Sequence, residues 1–330
     1  MTDTDAVTDQ PLARREPAPW WTRFELVILL GAGIGFFLFR DSLAFLTTIV
    51  IYAILALSYS YIYGQAGIAS MGHATLYGVS SYAVAILSSK YVHDPLLGLA
   101  AGAIVGAGTA WLTSWLFITA TRLALAMLTI AVAQVFMEIA NKAVWLTKGD
   151  DGFTGYEVPP LLGLFRFDMY GATGFWYSIS VLLLVYWILQ KIVSSHFGLT
   201  TRAIKADAER VESLGGYVRS HLIKVYCISG AVAGVAGALN SQISKVVSLD
   251  SLSFLVSINV LIMVVLGGSS KLYGAVIGTV VFLLIQHVAS GINPHHWLFV
   301  IGALLLFVML ALPQGLIGIF KKSWEGDGKA

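Results

Sequence analysis

The chain has 330 residues, of which 57% are hydrophobic and 12% charged, with a mean hydropathy of +0.80. Average soluble domains carry roughly 25% charged residues, so this composition excludes a soluble globule and predicts an integral membrane protein, with length for about ten spans of ~20 residues and no sizeable soluble domain. The formal charge of +2 decides nothing, because in a membrane the distribution of Lys and Arg matters more than their sum.

Residues 1–22 are polar, carry Arg14, Arg15 and three prolines, and read as a disordered cytoplasmic tail. They do not read as a signal peptide, since no small-residue cleavage site separates the apolar run at Phe24 from further membrane. Ten apolar runs follow, at about 24–39, 43–63, 70–88, 96–118, 122–144, 175–193, 222–243, 253–267, 274–290 and 297–313. With both termini cytoplasmic, fourteen of the 20 Lys and Arg fall inside and six outside, as the positive-inside rule requires. The 145–174 loop, with Asp150, Asp151, Glu157 and Asp168, is then on the outer face.

The second and third runs are joined by a glycine-rich break from Tyr63 to Thr75 that holds Gly64, Gly67, Ser70, Gly72 and His73. A second break starts at Gly267-Gly268 and runs to Thr279. Backbone that leaves helical form at membrane depth lines a cavity or is covered by protein, and glycine-interrupted segments point to a translocation path. Tight turns at the bilayer edge are the alternative for both. Glycines at four-residue spacing (Gly98, Gly102 and Gly106; Gly230 and Gly234, with Gly237; Gly274 and Gly278) predict close helix packing. Trp20, Trp21, Trp145, Trp176 and Trp297 fall at span ends, where tryptophan anchors in the headgroup layer.

Glu138 is the one acidic residue squarely inside a span, on one face with Gln134 and Asn141, and an intramembrane carboxylate is expected to face the bundle interior. Cys227 is the single cysteine, so no internal disulfide forms. His287 and the pair His295-His296 lack metal-ligand spacing.

The long polar interruption of the second half is Phe197 to Lys224. Ile204, Ala208, Val211 and Gly215 recur at helical spacing, with Lys205, Asp207, Glu209, Arg210 and Glu212 on the other faces, which predicts a short surface helix ending at Gly215-Gly216. Lys205 with Glu209, and Asp207 with Arg210, sit one turn apart. It reads either as a solvated connector or as a docking lever for a soluble partner.

No GxxxxGK[ST] sequence occurs, and Lys271 in GGSSKLYG lacks the spacing to replace it, so the chain holds no nucleotide-hydrolysing motif. One buried-span carboxylate is also a poor endowment for an ion-driven carrier. Ser70 and His73, at i and i+3, are too thin a basis for an enzyme. The pattern is a pathway without its own motor.

Five stretches in order carry a resemblance. Gly64, Gly67, Ser70, Gly72, His73 and Ala74 fit G-x-x-G-x-x-S-x-G-H-A; Leu128-Thr129 is followed by the Thr147–Gly152 loop; Arg202-Ala203-Ile204-Lys205 leads through Leu214-Gly215 to the glycine-faced Ser229–Leu239; Ser251–Phe254 precedes Met263–Gly268; and Leu312-Pro313-Gln314-Gly315-Leu316 ends the series. From residue 43 to 320 the chain resembles the permease subunits of ABC importers of the branched-chain amino acid type, specifically the LivM-like member of the LivH/LivM pair. It departs from them at Ala208–Ser213, at Ser270 and Ala275, and at Gln65–Ala69.

The resemblance implies an all-α polytopic bundle of about ten transmembrane helices in the bacterial inner membrane, with a permease domain over 23–320 and cytoplasmic tails at 1–22 and 321–330. It implies a half-pore that joins a second, LivH-like permease subunit, two cytoplasmic ABC ATPase subunits and a periplasmic substrate-binding protein in membrane lipid, with no cofactor, metal or nucleic acid. Residues 197–216 become the coupling helix, with Arg202, Lys205, Asp207, Glu209, Arg210, Glu212 and Gly215 meeting the ATPase. Translocation-path candidates are Gly64, Gly67, Ser70, Gly72, His73, Gln134, Glu138, Gly267 and Gly268. The cargo expected is a branched-chain or other hydrophobic amino acid; urea, amides or aromatic acids for a permease of the same family, and a stand-alone channel for a small neutral solute, are the alternatives.

Overall fold

A computed structural model describes residues 21–38, 42–90, 94–117, 122–156, 171–269 and 271–292, with isolated positions as far as 316. Helices α1 (Trp21–Leu38), α2 (Leu43–Ser60), α3 (His73–Lys90), α4 (Pro95–Phe117) and α5 (Arg122–Lys142) are followed by the single turn α6 (Val144–Thr147). Then come α7 (Ala172–Ser194), α8 (His196–Ala206), α9 (Ala208–Ser213), α10 (Val218–Ser244), α11 (Phe254–Gly267) and α12 (Leu272–Ile292). The strands β1 (Phe153–Thr154) and β2 (Val246–Val247) pair antiparallel, Phe153 opposite Val247.

Nine of the ten expected apolar runs are therefore helices; residues 1–20, most of the run 297–313 and the C-terminal tail lie outside the described residues. Six of the described helices are long and apolar enough to cross a membrane, and the chain is an all-α, multi-pass membrane protein. α11 is shorter, and its 14 residues rise about 21 Å, less than the hydrocarbon core of a bilayer. α4 shows how such a helix starts: Pro95 takes the first position, where its missing N–H is no loss, and Asp94 Oδ1 accepts from Leu96 N at 3.1 Å.

α2 is the hub, with 72% of its apolar window buried, and it packs on α7, α10, α11 and α12. The tightest contact joins α10 to α4 along the two glycine stripes. A Cβ on Gly106 would run into the Gly230 carbonyl, one on Gly230 into the Gly106 carbonyl, and one on Gly234 into the Gly102 carbonyl. Helices meet backbone to backbone here because, without a hydrophobic force between them in lipid, close van der Waals approach does the joining. The stripe on Gly274 and Gly278 serves α12 against α11 in the same way. Perimeter helices are barely covered: only 17% of the α5 window is buried. Trp145 and Trp176 are exposed near helix ends, as expected of anchors.

α10 is 27 residues long, about 40 Å, and separates two ends of different character. At its C-terminal end the β1–β2 ribbon, the Tyr156 hydroxyl on the Ser241 carbonyl (2.6 Å) and Gln242 Nε2 on the Pro95 carbonyl (2.8 Å) tie the helix to its neighbours. Burial pushes the Tyr156 phenol up to about 12, against the opposing pull of its Ser241 bond, so it remains a donor at neutral pH. At the N-terminal end lie α8 and α9. Gly230→Leu should force α4 and α10 apart and destabilise the bundle by about 1–3 kcal/mol, measured as a lowered thermal midpoint of the detergent-solubilised protein, while Gly108→Ala, where a Cβ meets nothing, should leave it unchanged.

Candidate functional site

Both glycine breaks and the polar segment after α7 meet at one end of the bundle. α2 runs into a π-helical turn, Tyr61–Ala66, which stops at Gly67 with φ +72°. Such wide turns gather at functional places in membrane and soluble helices alike, and a positive φ of this kind is open to glycine without strain. From Gly67 the chain returns alongside α2 without helical form, until α3 begins at His73, level with Ser58: Ser58 Oγ and His73 Nε2 are 2.7 Å apart. The break is thus an edge turn followed by a re-entrant stretch within the protein.

Its amides are met by side chains from distant spans. Met71 N donates to Thr129 Oγ1 on α5 (3.0 Å) and Ala74 N to Ser257 Oγ on α11 (2.9 Å). Gly72 lies so close to the Thr129 carbonyl that a Cβ would stand 2.5 Å from it. His73 is fully buried, edge-on to Tyr59 at 5.3 Å, with the Ser229 hydroxyl of α10 at 3.5 Å. Unpaired amides in hydrocarbon cost several kcal/mol each, so these hydroxyls are what allow the irregular stretch to exist.

The turn is held from two sides. Lys205 of α8 donates from Nζ to the Gly64 carbonyl at 2.6 Å and lays its stem across Gly67, 3.2 Å from where a Cβ would stand. Gly64 abuts the Ser269 carbonyl of the second break. There Gly268 (φ +103°) separates α11 from α12, and Gly315 (φ +70°) seats against it, with a Cβ 2.6 Å from Gly268 N and Cα. Four glycines on three separate stretches therefore bring the end of α2, the α11–α12 connection and Gly315 into close backbone approach, with the Lys205 side chain of α8 laid against them.

The expected single helix over 197–216 is two. α8 ends at Ala206, Asp207 turns out of helical form (φ −159°, ψ 100°), and its Oδ1 caps α9 by accepting from Arg210 N at 3.0 Å. Asp207 thus bonds the Arg210 backbone, and Lys205 turns to Gly64 instead of Glu209, so neither expected one-turn ion pair forms. Arg202 donates to the Val193 carbonyl at 3.0 Å, fastening α8 to α7. α9 buries none of its residues and ends at Gly215 (φ +86°). Leu214 and Tyr217, 83% and 88% exposed, are two apolar side chains that charge patterning passed over. Between α8, α9 and the start of α10 lies a shallow groove of about 250 Å³, with Ile204 and Val211 in its lining. His221, also in the lining, lies 2.8 Å from Thr201 Oγ1 of α8.

Gln134 and Glu138 lie apart from this joint. Both are exposed on the perimeter helix α5, and Glu138 pairs with Lys142 at 3.4 Å instead of facing the bundle interior. The i, i+4 relation placed them on one face, but α5 turns that face away from its own neighbours. The sequence-derived site divides accordingly: Gly64, Gly67, Ser70, Gly72, His73, Gly267 and Gly268 belong with Lys205 to the joint; Gln134 and Glu138 do not. Thr129 and Ser229 stand in stretches that carry the resemblance but had no role assigned to them, and Ser257 was not named, because one hydroxyl among many in a span carries no signal of its own. Among the described residues no group of three His, Cys, Asp or Glu side chains is placed to hold a metal.

The family described as branched-chain amino acid transport system / permease component matches residues 42–309. The high-affinity branched-chain amino acid transport system permease protein LivM of Escherichia coli is 23% identical over 312 residues, which cover 88% of this chain and 73% of that protein. LivH of Salmonella typhimurium is 24% identical over 285 residues, 81% of this chain and 91% of that one. A probable LivM of Methanocaldococcus jannaschii is 23% identical over 180 residues, half of this chain. No solved structure matches.

Replacing Lys205 by Met keeps the stem over Gly67 and removes the bond to Gly64. Hydrogen exchange at residues 64–72 should then quicken by roughly an order of magnitude, reflecting about 1–1.5 kcal/mol of lost protection, while amides at mid-α2 keep their rates.

Proposed function

Because the chain belongs to the branched-chain amino acid transport system permease family, we propose that it forms half of the pore of an ATP-driven importer for branched-chain or other hydrophobic amino acids. It is a transport subunit and not an enzyme. In this reading hydrolysis takes place on two separate ATPase subunits, and a soluble binding protein delivers the cargo on the far side. The partner half is LivH-like: both LivM and LivH resemble this chain over more than four-fifths of its length, so two like halves sharing one fold is the arrangement that fits. Residues 23–320 make up the permease domain, with both termini and the α8–α9 segment in the cytoplasm.

The observation that carries the mechanism is the Lys205–Gly64 bond. It connects an extramembrane pair of helices directly to the π-helical turn that leads into the non-helical stretch inside the bundle. A partner that tilts α8 and α9 pulls on the end of α2, and the stretch from Gly67 to His73 is the place where that motion can enter the spans. Two discrete packings of a small joint are the kind of element that converts an external push into a change of access.

Arg202, Lys205, Asp207, Glu209, Arg210, Glu212 and Gly215 are assigned to this lever in two roles. Arg202 and Lys205 hold it to the bundle, Asp207 and Gly215 shape it, and Glu209, Arg210 and Glu212 are left free for a partner. Leu214 and Tyr217 join the last group as apolar anchors, which dominate binding when they fill pockets on the opposing surface. Gln134 and Glu138 fit a different place: a polar face on an otherwise lipid-facing span needs a polar neighbour, and the second permease half supplies one.

Charge reversal at Glu209 and Arg210 together should lower ATP-driven uptake by the assembled importer at least tenfold, with membrane insertion and the thermal midpoint unchanged. Unaltered uptake in proteoliposomes would refute the lever. The chain reconstituted alone should give no downhill flux of leucine or urea; flux without partners or ATP would mark a channel.

A further inference from the structure

A second recess lies toward the opposite end of α2. α2, α11 and α12 line a half-open recess of about 260 Å³, which the sequence motifs touch at Met263 alone. Its lining is mixed. Tyr52 of α2, Asn259 of α11 and Gln286 of α12 present hydroxyl and carboxamide groups, and Met263 with Phe45 supplies apolar surface. His287 stacks on Phe45, ring centroids 4.3 Å apart, which fixes the rim. The other hydroxyls there are already committed: Thr48 donates to the Ala44 carbonyl at 2.9 Å and Ser290 to the His287 carbonyl at 3.0 Å. Tyr52, Asn259 and Gln286 have no side-chain hydrogen bond among the described residues.

Three uncommitted polar side chains from three helices in an apolar setting are unusual, because polar groups in spans are normally turned to one another or to a path. No Asp, Glu, Lys or Arg lines the recess. A ligand with net charge would leave water and meet no counter-charge, which is heavily disfavoured in surroundings of low dielectric. Carboxamides suit the opposite case. Each offers an acceptor oxygen and a donor NH2 group, so a pair of them can serve an ammonium and a carboxylate at once, or both ends of a neutral amide. The volume lies below the usual range for drug-sized ligands, so only a small solute fits.

We propose that this recess between α2, α11 and α12 is a transient binding site for a small, net-neutral, amphipathic solute, held by Asn259, Gln286 and Tyr52 with its apolar part on Phe45 and Met263. The proposal rests on the importer reading, of which it would be one station. Neutral hydrogen bonds without an ion pair give the weak hold that a pathway needs, since a solute that binds tightly does not leave.

The test uses the single native cysteine to advantage. In a Cys227→Ser background, Ser290→Cys places one thiol at the rim without touching the three polar groups. The assembled importer in proteoliposomes is treated with a charged methanethiosulfonate reagent in the presence of millimolar L-leucine, urea, L-lysine or L-glutamate. At least one of the neutral solutes should slow labelling threefold or more and the two charged ones should not, and Gln286→Leu should abolish the protection. A thiol that never reacts, protection by neither neutral solute, or equal protection by the charged ones overturns the proposal. ATP-driven uptake is followed in the same vesicles. Its absence refutes the importer reading, whereas uptake without protection refutes the recess alone.

Discussion

Every amide and carbonyl at membrane depth has to find its partner inside the protein, and the stretch from Gly67 to His73 is where this chain meets that demand without a helix. Thr129 satisfies the Met71 amide within it and Ser257 the Ala74 amide where α3 begins, both from spans more than fifty residues away in sequence, and Gly72 lets the Thr129 carbonyl come close. The arrangement of α5, α10 and α11 around the break follows from it. If those spans moved apart, the irregular stretch would be stranded among lipid tails.

The same requirement explains the glycine stripes. α4 and α10 touch backbone to backbone along Gly102, Gly106, Gly230 and Gly234, and the contact holds α10 upright beside α3 and the break. A side chain there would displace α10, whose Ser229 donates to the Ser58 carbonyl of α2 at 2.9 Å. Packing glycines and path glycines are thus parts of one system, although their roles differ: the first exclude side chains, while Gly67 and Gly268 supply a backbone conformation.

Much of the architecture was legible in the sequence. Apolar runs gave the spans because length and hydropathy are sufficient for that, and glycine spacing located the closest pair of helices. The joint was legible in part. Gly64, Gly67, Gly72 and His73 announce a break, but its partners are long-range: Lys205 is 141 residues from Gly64, and nothing local distinguishes it from the other charges of its segment. The exposure of Glu138 was out of reach for a related reason. Periodicity says which residues share a face and is silent about which face is covered. The division of the surface segment at Asp207 did have a local sign, since an aspartate three residues ahead of Arg210 is a good cap for a new helix, but the hydrophobic period ran through it undisturbed.

The two ends of α10 differ in stiffness by construction. One is laced by the two-residue ribbon, Tyr156 and Gln242; the other rests on a lysine, a π turn and glycines. A bundle clasped at one extremity and articulated at the other opens like tongs, and an angular change of a few degrees at the loose extremity displaces side chains there by ångströms while barely disturbing the clasp. A surface built on the clasped extremity therefore changes less than one built on the articulated extremity whenever the bundle flexes.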